Sequence, residues 1–180
     1  DKNGTELWSK SQNDVNPHNQ MPTYFQNKLF FTTDKKLICL NASNGSKVWE
    51  YNIPDSMLYI TPAIAIVNNF TLITLEKETA ESSYLFAINP SNGNVAGTLA
   101  ISDDRVWLNM AARGNTVYLA HGFLYKVTVS SNGAMSLDWN VQLPGDDPTV
   151  YFNFENDMVI APNGNVTFAY GELSNPSLHI

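Results

Sequence analysis

The stretch Leu37-Ile38-Cys39-Leu40-Asn41-Ala42-Ser43-Asn44-Gly45-Ser46-Lys47-Val48-Trp49-Glu50-Tyr51-Asn52 decides the fold. Residues 37–41 read as one strand, Ser43-Asn44-Gly45-Ser46 as a turn and residues 47–52 as a second strand. Asn-Gly between two such runs is the strongest short hairpin signal, because a tight hairpin turn wants φ > 0 at both central positions. Working outward, Leu29-Phe30-Phe31-Thr32-Thr33 is a third strand, set off by the turn Asp34-Lys35-Lys36. No long window carries apolar residues at helical spacing with caps, so the chain reads as all-β.

The same order returns downstream. Residues 63–67, the Asn68-Asn69 turn and residues 70–75 are followed by residues 84–89, Asn92-Gly93 and residues 95–101. A third round runs from Trp107-Leu108-Asn109-Met110 through Gly114-Asn115, residues 116–119 and 123–127 to Asn132-Gly133 and Val141. A fourth begins at residues 151–154 and passes Met158-Val159-Ile160 and Asn163-Gly164 to residues 166–170. Asn3, Asn44, Asn92 and Asn132, each followed by glycine, are spaced by 41, 48 and 40 residues. That is the scale of one four-stranded propeller blade. The expected fold is therefore a β-propeller of four-stranded antiparallel blades, with about three full and two partial blades. All of residues 1–180 belong to one such domain, with units at 1–22 (partial), 23–58, 59–104, 105–145 and 146–180 (partial).

Tryptophan follows the landmark. Trp8 and Trp49 stand four places after Gly4 and Gly45, Trp139 six places after Gly133, and Gly97 fills the slot after Gly93. The longer second unit is explained by Glu76-Lys77-Glu78-Thr79-Ala80-Glu81-Ser82-Ser83, read as a solvated hairpin loop, with a binding loop as the sharper alternative. Residues 11–22 form the other irregular stretch.

These landmarks resemble the PQQ-like repeat of quinoprotein-type β-propellers, whose outer blade repeats Ala-x-Asp-x-x-Thr-Gly-x-x-x-Trp. Cys39, Asn41, Asn44, Gly45 and Trp49 fall at that spacing, as do Ala87, Asn89, Asn92 and Gly93, and Asn3, Gly4 and Trp8 match its end. In the third unit Val127 and Val129 stand where Ala and Asp are expected. Met21-Pro22 before the first two strands is similar to the family's opening. The resemblance implies that Gly4, Trp8, Gly45, Trp49, Gly93, Gly133 and Trp139 are structural repeat residues, glycine for the left-handed turn and tryptophan for packing blade on blade.

Composition narrows the function. Net charge is -7 and only 15% of residues are charged, against a usual figure of about 25%. An acidic, charge-poor surface repels phosphates and anionic lipid, so neither nucleic acid nor a membrane is an expected partner. No run of 18 apolar residues is present. Low charge with abundant Asn, Thr and Tyr favours an extracellular, periplasmic or luminal setting.

The resemblance also names a chemistry to look for: quinoprotein dehydrogenases hold PQQ and calcium, with adjacent disulfide-bonded cysteines beside the quinone. This chain has one cysteine, Cys39, in an apolar run, and so reads as having a buried, inert thiol. Asp103-Asp104 and Asp146-Asp147 are paper candidates for calcium, but lack alternating ligand spacing and read as solvated turns. His18, His121 and His179 form no zinc-type motif. No catalytic, cofactor or metal residue is assigned and no cofactor is expected. Of five Asn-x-Ser/Thr sequons, at Asn3, Asn41, Asn44, Asn69 and Asn165, the candidate glycosylation sites are Asn69, Asn165 and Asn41, while Asn44 should be tied up in its turn. The expected function is a non-catalytic extracytoplasmic scaffold for protein binding or assembly, through a protein partner or self-association of open blade edges. A fragment of a PQQ-dependent oxidoreductase and a luminal stress-sensor domain are the alternatives.

Overall fold

The computed structural model describes residues 6–9, 22–33, 35–77, 82–102, 109–121, 123–142, 158–172 and 175–179. The first sheet is β1 (Thr23–Phe25), β2 (Lys28–Thr32), β3 (Lys36–Asn41) and β4 (Lys47–Asn52). The second is β5 (Met57–Val67), β6 (Phe70–Lys77), β7 (Ser82–Ile88) and β8 (Val95–Ser102). The third is β9 (Asn109–Arg113), β10 (Thr116–His121), β11 (Phe123–Val129) and β12 (Met135–Gln142). In the fourth, β13 (Val159–Ile160), β14 (Val166–Glu172) and β15 (Asn175–His179) are described. Each is an antiparallel meander in chain order. First strands of neighbouring sheets lie side by side, β1 with β5, β5 with β9 and β9 with β13. The sheets are therefore blades of a β-propeller packed face to face around their inner strands.

Each interface is its own core. Phe30, Leu37, Cys39, Trp49, Ile73, Leu75, Phe86 and Ile88 close the first sheet on the second. Leu72, Leu85, Ala87, Val117, Leu119, Tyr125, Val127 and Val129 close the second on the third. Phe86 and Ile88 thus face backward while Leu85 and Ala87 face forward, the period-two alternation of a strand buried on both sides. Among the described residues the third and fourth meet through Ala120 and Met158 with Tyr118, Leu124 and Val166.

The turns divide labour differently from the sequence expectation. Type I′ geometry, with φ > 0 at both central residues, occurs at Gln26-Asn27 (47° and 59°) and Asn68-Asn69 (46° and 64°). At the Asn-Gly landmarks only glycine is left-handed, φ being 69° at Gly45, 77° at Gly93 and 87° at Gly133. Asparagine acts there through its side chain. Asn44 Oδ1 accepts the Ser46 N–H at 3.0 Å, Asn92 that of Asn94 at 3.0 Å and Asn132 that of Ala134 at 3.1 Å. These are Asx turns.

The third unit's poor match to the repeat has a simple cause. Its hairpin closes from the Ser130 N–H to the Ala134 carbonyl, whereas the others close from Asn41 to Ser46 and from Asn89 to Asn94. One residue is missing from the loop. Thr128 and Ser130, not Val127 and Val129, therefore occupy the repeat's Ala and Asp positions, and the two valines face back into the second sheet. The presumed loop at residues 76–83 also differs. Glu76 pairs with Ser83 and Lys77 with Ser82 in the β6–β7 ladder, and Glu76 is fully buried. The chain between them, residues 78–81, lies outside the described residues, as do residues 10–21.

Neighbouring sheets are locked by an indole on a glycine. A Cβ on Gly45 would lie 2.6 Å from the Trp8 ring and one on Gly93 2.8 Å from the Trp49 ring. Trp8 Nε1 donates to the Ala42 carbonyl at 2.9 Å and Trp49 Nε1 to the Pro90 carbonyl at 3.0 Å. The carbonyl stands three residues before the glycine in both. At the next interface Gly97 occupies the tryptophan slot, and its Cβ position would fall 2.2 Å from the Gly133 carbonyl oxygen. Backbone meets backbone there, and the Phe70 ring sits 3.1 Å from where a Gly133 Cβ would be. Asn68 Nδ2 donates to the Val129 carbonyl across the same interface. Phe70 and Asn68 thus supply from the second sheet's inner hairpin what one tryptophan supplies elsewhere.

Two outcomes follow from this packing. Trp49→Ala and Phe70→Ala should each destabilise the fold by roughly 3–5 kcal/mol in urea denaturation, as large aromatic truncations in cores do; a loss under about 1 kcal/mol at either position would contradict the interlock. Burial pushes the Cys39 thiol up to about 11 from a usual 9.0, with Lys28 opposing weakly. Because the unfolded chain gives up this proton first, stability should be intact below pH 9 and fall as pH rises toward 11. Cys39→Ala should flatten that decline. At pH 8 a thiol reagent should label the native protein only after denaturant is added.

Candidate functional site

The outer edge of the third sheet is unlike that of the other two. β12 is exposed along its length after the half-buried Met135. On β4 and β8 the large apolar residues left open are Val48 and Val95, one on each. On β12 they are Leu137, Trp139 and Val141, at 39%, 42% and 51% exposure, with Phe123 beside them on β11.

A β-bulge distributes these side chains. The β11–β12 register pairs Val127 with Leu137 and then Lys126 with Trp139, leaving Asp138 as the extra residue. Alternation flips at the bulge. Leu137 goes with Val127 toward the second sheet, while Trp139 and Val141, paired with Lys126 and Leu124, go toward the fourth. Asp138 is pinned by Lys126 Nζ at 3.4 Å and by the Thr128 hydroxyl, which donates at 2.9 Å. The Trp139 ring rests tilted on Tyr118, centroids 6.2 Å apart. The result is a stiffened edge strand with Trp139 and Val141 open on one face and Leu137 on the other.

The same geometry corrects the role expected of Trp139. In the first two sheets the bulge follows the hairpin directly, pairing Cys39 with Trp49 and Ala87 with Gly97. In the third it comes two residues later, so Thr128 faces Ser136 and Trp139 stands level with Tyr51 and Leu99. Among the described residues Trp139 meets Tyr118 of its own sheet and stands away from the position that Trp49 holds. Trp8, Trp49, Gly45, Gly93 and Gly133 are brought to sheet interfaces, whereas Gly4 lies outside the described residues. Phe70 and Asn68 were missed by the sequence reading. The signal for them was Gly97 in the tryptophan slot, which left an aromatic-sized volume to be filled.

The other candidates are scattered. Asn69 and Asn165 are exposed in their hairpin turns; Asn41 is half-buried, with Oδ1 accepting the Ser43 N–H at 2.8 Å. Asn44 is exposed as well, although its Oδ1 is engaged. His121 ends β10 and His179 ends β15. His18, Asp103-Asp104 and Asp146-Asp147 lie outside the described residues. Among the described residues no three His, Cys, Asp or Glu side chains group as metal ligands, and no helix is long and apolar enough to cross a membrane.

Comparison with known proteins adds the following. The family model described as outer membrane protein assembly factor BamB matches residues 1–69. No curated protein matches the sequence. Among solved structures, quinohemoprotein alcohol dehydrogenase from Comamonas testosteroni superposes with TM-score 0.64 at 16% identity, covering 94% of this chain and 35% of that one. BamB from Moraxella catarrhalis superposes with TM-score 0.53 at 11% identity, covering 84% of this chain and 48% of that one. The C-terminal domain of PilY1 from Pseudomonas aeruginosa gives 0.56 at 13%, covering 84% and 43%. At these identities the likeness is one of fold, and the chain spans about half or less of each of these proteins. The matched segment, residues 1–69, and the stacked four-stranded sheets agree, and the fold is that of the PQQ-like repeat β-propellers to which the chain is similar.

Proposed function

We propose that this chain is a non-catalytic β-propeller scaffold for protein binding or assembly, working outside the cytoplasm. The observation that carries the reading is the exposed outer strand of the third sheet, with Trp139 and Val141 open on one face and Leu137 on the other. A sheet edge offers unpaired backbone donors and acceptors. Exposed aromatic and aliphatic groups beside them are the composition of protein-interface cores. An extended segment of another protein could add to β12 by strand pairing and seat its side chains against Trp139 and Val141. The charge-poor composition and the likeness to BamB, described as an outer membrane protein assembly factor, support a binding role outside the cytoplasm. Where the source glycosylates, Asn69 and Asn165 are the open acceptors, ahead of the half-buried Asn41.

A second reading is favoured by the superposition on quinohemoprotein alcohol dehydrogenase, namely that the chain is part of a PQQ-dependent oxidoreductase. Against it stands the thiol inventory. Cys39 is the one cysteine and is fully buried, so this chain supplies no adjacent cysteine pair. A dye-linked dehydrogenase assay with added PQQ and calcium distinguishes the two. No turnover is expected with alcohols or sugars. Sustained turnover with any of them would overturn the scaffold reading.

A further inference from the structure

We propose that Asn163 is a site of spontaneous covalent modification, its side-chain amide turning into a carboxylate by cyclisation onto the Gly164 nitrogen, while the other described Asn-Gly pairs are held against the same reaction by the packing of one sheet on the next. The inference goes beyond the scaffold reading and does not depend on it.

The chemistry belongs to the dipeptide. The backbone nitrogen after an asparagine can attack the side-chain carbonyl carbon, and glycine brings no Cβ to obstruct the approach. At Asn163 the Gly164 nitrogen gives up its proton to water and bonds to Cγ, the bond from Cγ to Nδ2 breaks, and ammonia leaves. Water then opens the five-membered imide at either carbonyl, giving aspartate or isoaspartate. Nothing is oxidised or reduced, and water is the one co-reactant.

Among the described residues the pairs are Asn44-Gly45, Asn92-Gly93, Asn132-Gly133 and Asn163-Gly164. In each the attacking nitrogen is engaged. Gly45 donates to the Asn41 carbonyl at 2.8 Å, Gly93 to Asn89 at 2.9 Å, Gly133 to Ser130 at 3.0 Å and Gly164 to Ala161 at 2.9 Å. The turn must open before the nitrogen can react, so the rate follows the ease of local opening.

Two of these turns are a matched pair. Residues 130–134 close from the Ser130 N–H to the Ala134 carbonyl at 2.8 Å, and residues 161–165 from Ala161 to Asn165 at 2.8 Å. Asn132 Oδ1 accepts the Ala134 N–H at 3.1 Å, and Asn163 Oδ1 that of Asn165 at 3.0 Å. The glycine φ is 87° in one and 93° in the other. What differs is what stands on the glycine. Gly133 is buried, and a Cβ there would lie 2.6 Å from the Ala96 side chain and 3.1 Å from the Phe70 ring. Gly164 is exposed, and a Cβ there would meet nothing within 4 Å. Gly45 and Gly93 are buried under Trp8 and Trp49. Openness goes with the hairpin's place in its sheet. Gly114, in the corresponding first hairpin of the third sheet, also meets nothing within 4 Å, although sheets are described on both sides of it. The three clamped glycines all belong to the last hairpin of a sheet.

The change falls on a contact between sheets. Arg113 Nη1 of the third sheet donates at 2.9 Å to the Ala161 carbonyl, the same oxygen that accepts the Gly164 N–H. Aspartate at position 163 puts a negative charge into the turn that this guanidinium holds, and isoaspartate adds a methylene to its main chain.

The test is a timed incubation of the folded chain in mildly alkaline buffer, and of the same chain in guanidinium chloride. Peptide mass spectrometry follows the conversion of amide to acid, and isoaspartyl methyltransferase labelling counts isoaspartate. In the folded chain Asn163 should convert first, with Asn44, Asn92 and Asn132 slower by at least about tenfold. In denaturant the four rates should converge. Equal rates at Asn163 and Asn132 in the folded chain would overturn the proposal. So would a gap between them that survives in denaturant, because it would then come from the neighbouring sequence and not from packing.

Discussion

The structure depends on the approach of an indole to a backbone that has no Cβ. Glycine is required at Gly45 and Gly93 for two independent reasons. The left-handed φ disfavours any other residue by roughly 1–2 kcal/mol, and the ring lies where a Cβ would be. The indole N–H then satisfies a carbonyl three residues upstream, so the ring is buried without stranding its polar edge. Hairpin shape, packing and hydrogen bonding thus meet on one short segment per sheet. That is why the spacing of asparagine, glycine and tryptophan is readable along the chain, while the strands between them vary.

The interface between the second and third sheets shows what the constraint demands and what it leaves free. Interiors are packed to near-crystalline density, so a tryptophan cannot simply be deleted. Gly97 removes the ring and lets the hairpin of the third sheet come in until backbone touches backbone. Phe70 fills the remaining volume from a different strand, and Asn68 replaces the lost N–H by bonding to Val129. A ring against the glycine is kept in space although its position in sequence is not, and the donor reaches a carbonyl four residues before the glycine instead of three. The type I′ turn at Asn68-Asn69 makes this possible, because its left-handed residues aim Asn68 and the start of β6 at the neighbouring sheet.

What could be read from the sequence follows the same division. Local signals sufficed for the strands, the hairpins and the four-stranded antiparallel sheets, since turn chemistry and period-two alternation are properties of adjacent residues. Trp139 misled because spacing from Gly133 was counted without knowing where the bulge lay. A loop one residue shorter and a bulge two residues later moved it to the level of Tyr51. Glu76 misled because acidity suggested solvent, whereas the β6–β7 ladder carries it into the interior. The exposed apolar groups on β12 were not legible at all. Leu137, Trp139 and Val141 look like an ordinary strand pattern, and their exposure is decided by what stands opposite them in space.

That exposure contrasts with the outer strand of the first sheet, which is managed differently. On the first sheet Lys36 and Lys47 flank Glu50 at 3.7 Å and 2.9 Å, holding its carboxyl below the usual range, chiefly through the Lys47 hydrogen bond. Charges on an edge strand discourage another chain from pairing with it. β12 keeps one such pair, Lys126 with Asp138, and spends it on the bulge, where it stiffens the strand without covering the apolar groups on either side. An edge that is rigid, aromatic and sparsely charged is suited to being occupied. Among the described residues the faces between the first and second and between the second and third sheets are closed by packed side chains, whereas the outer rim of the third sheet keeps Leu137, Trp139 and Val141 open, and association there has apolar area to bury.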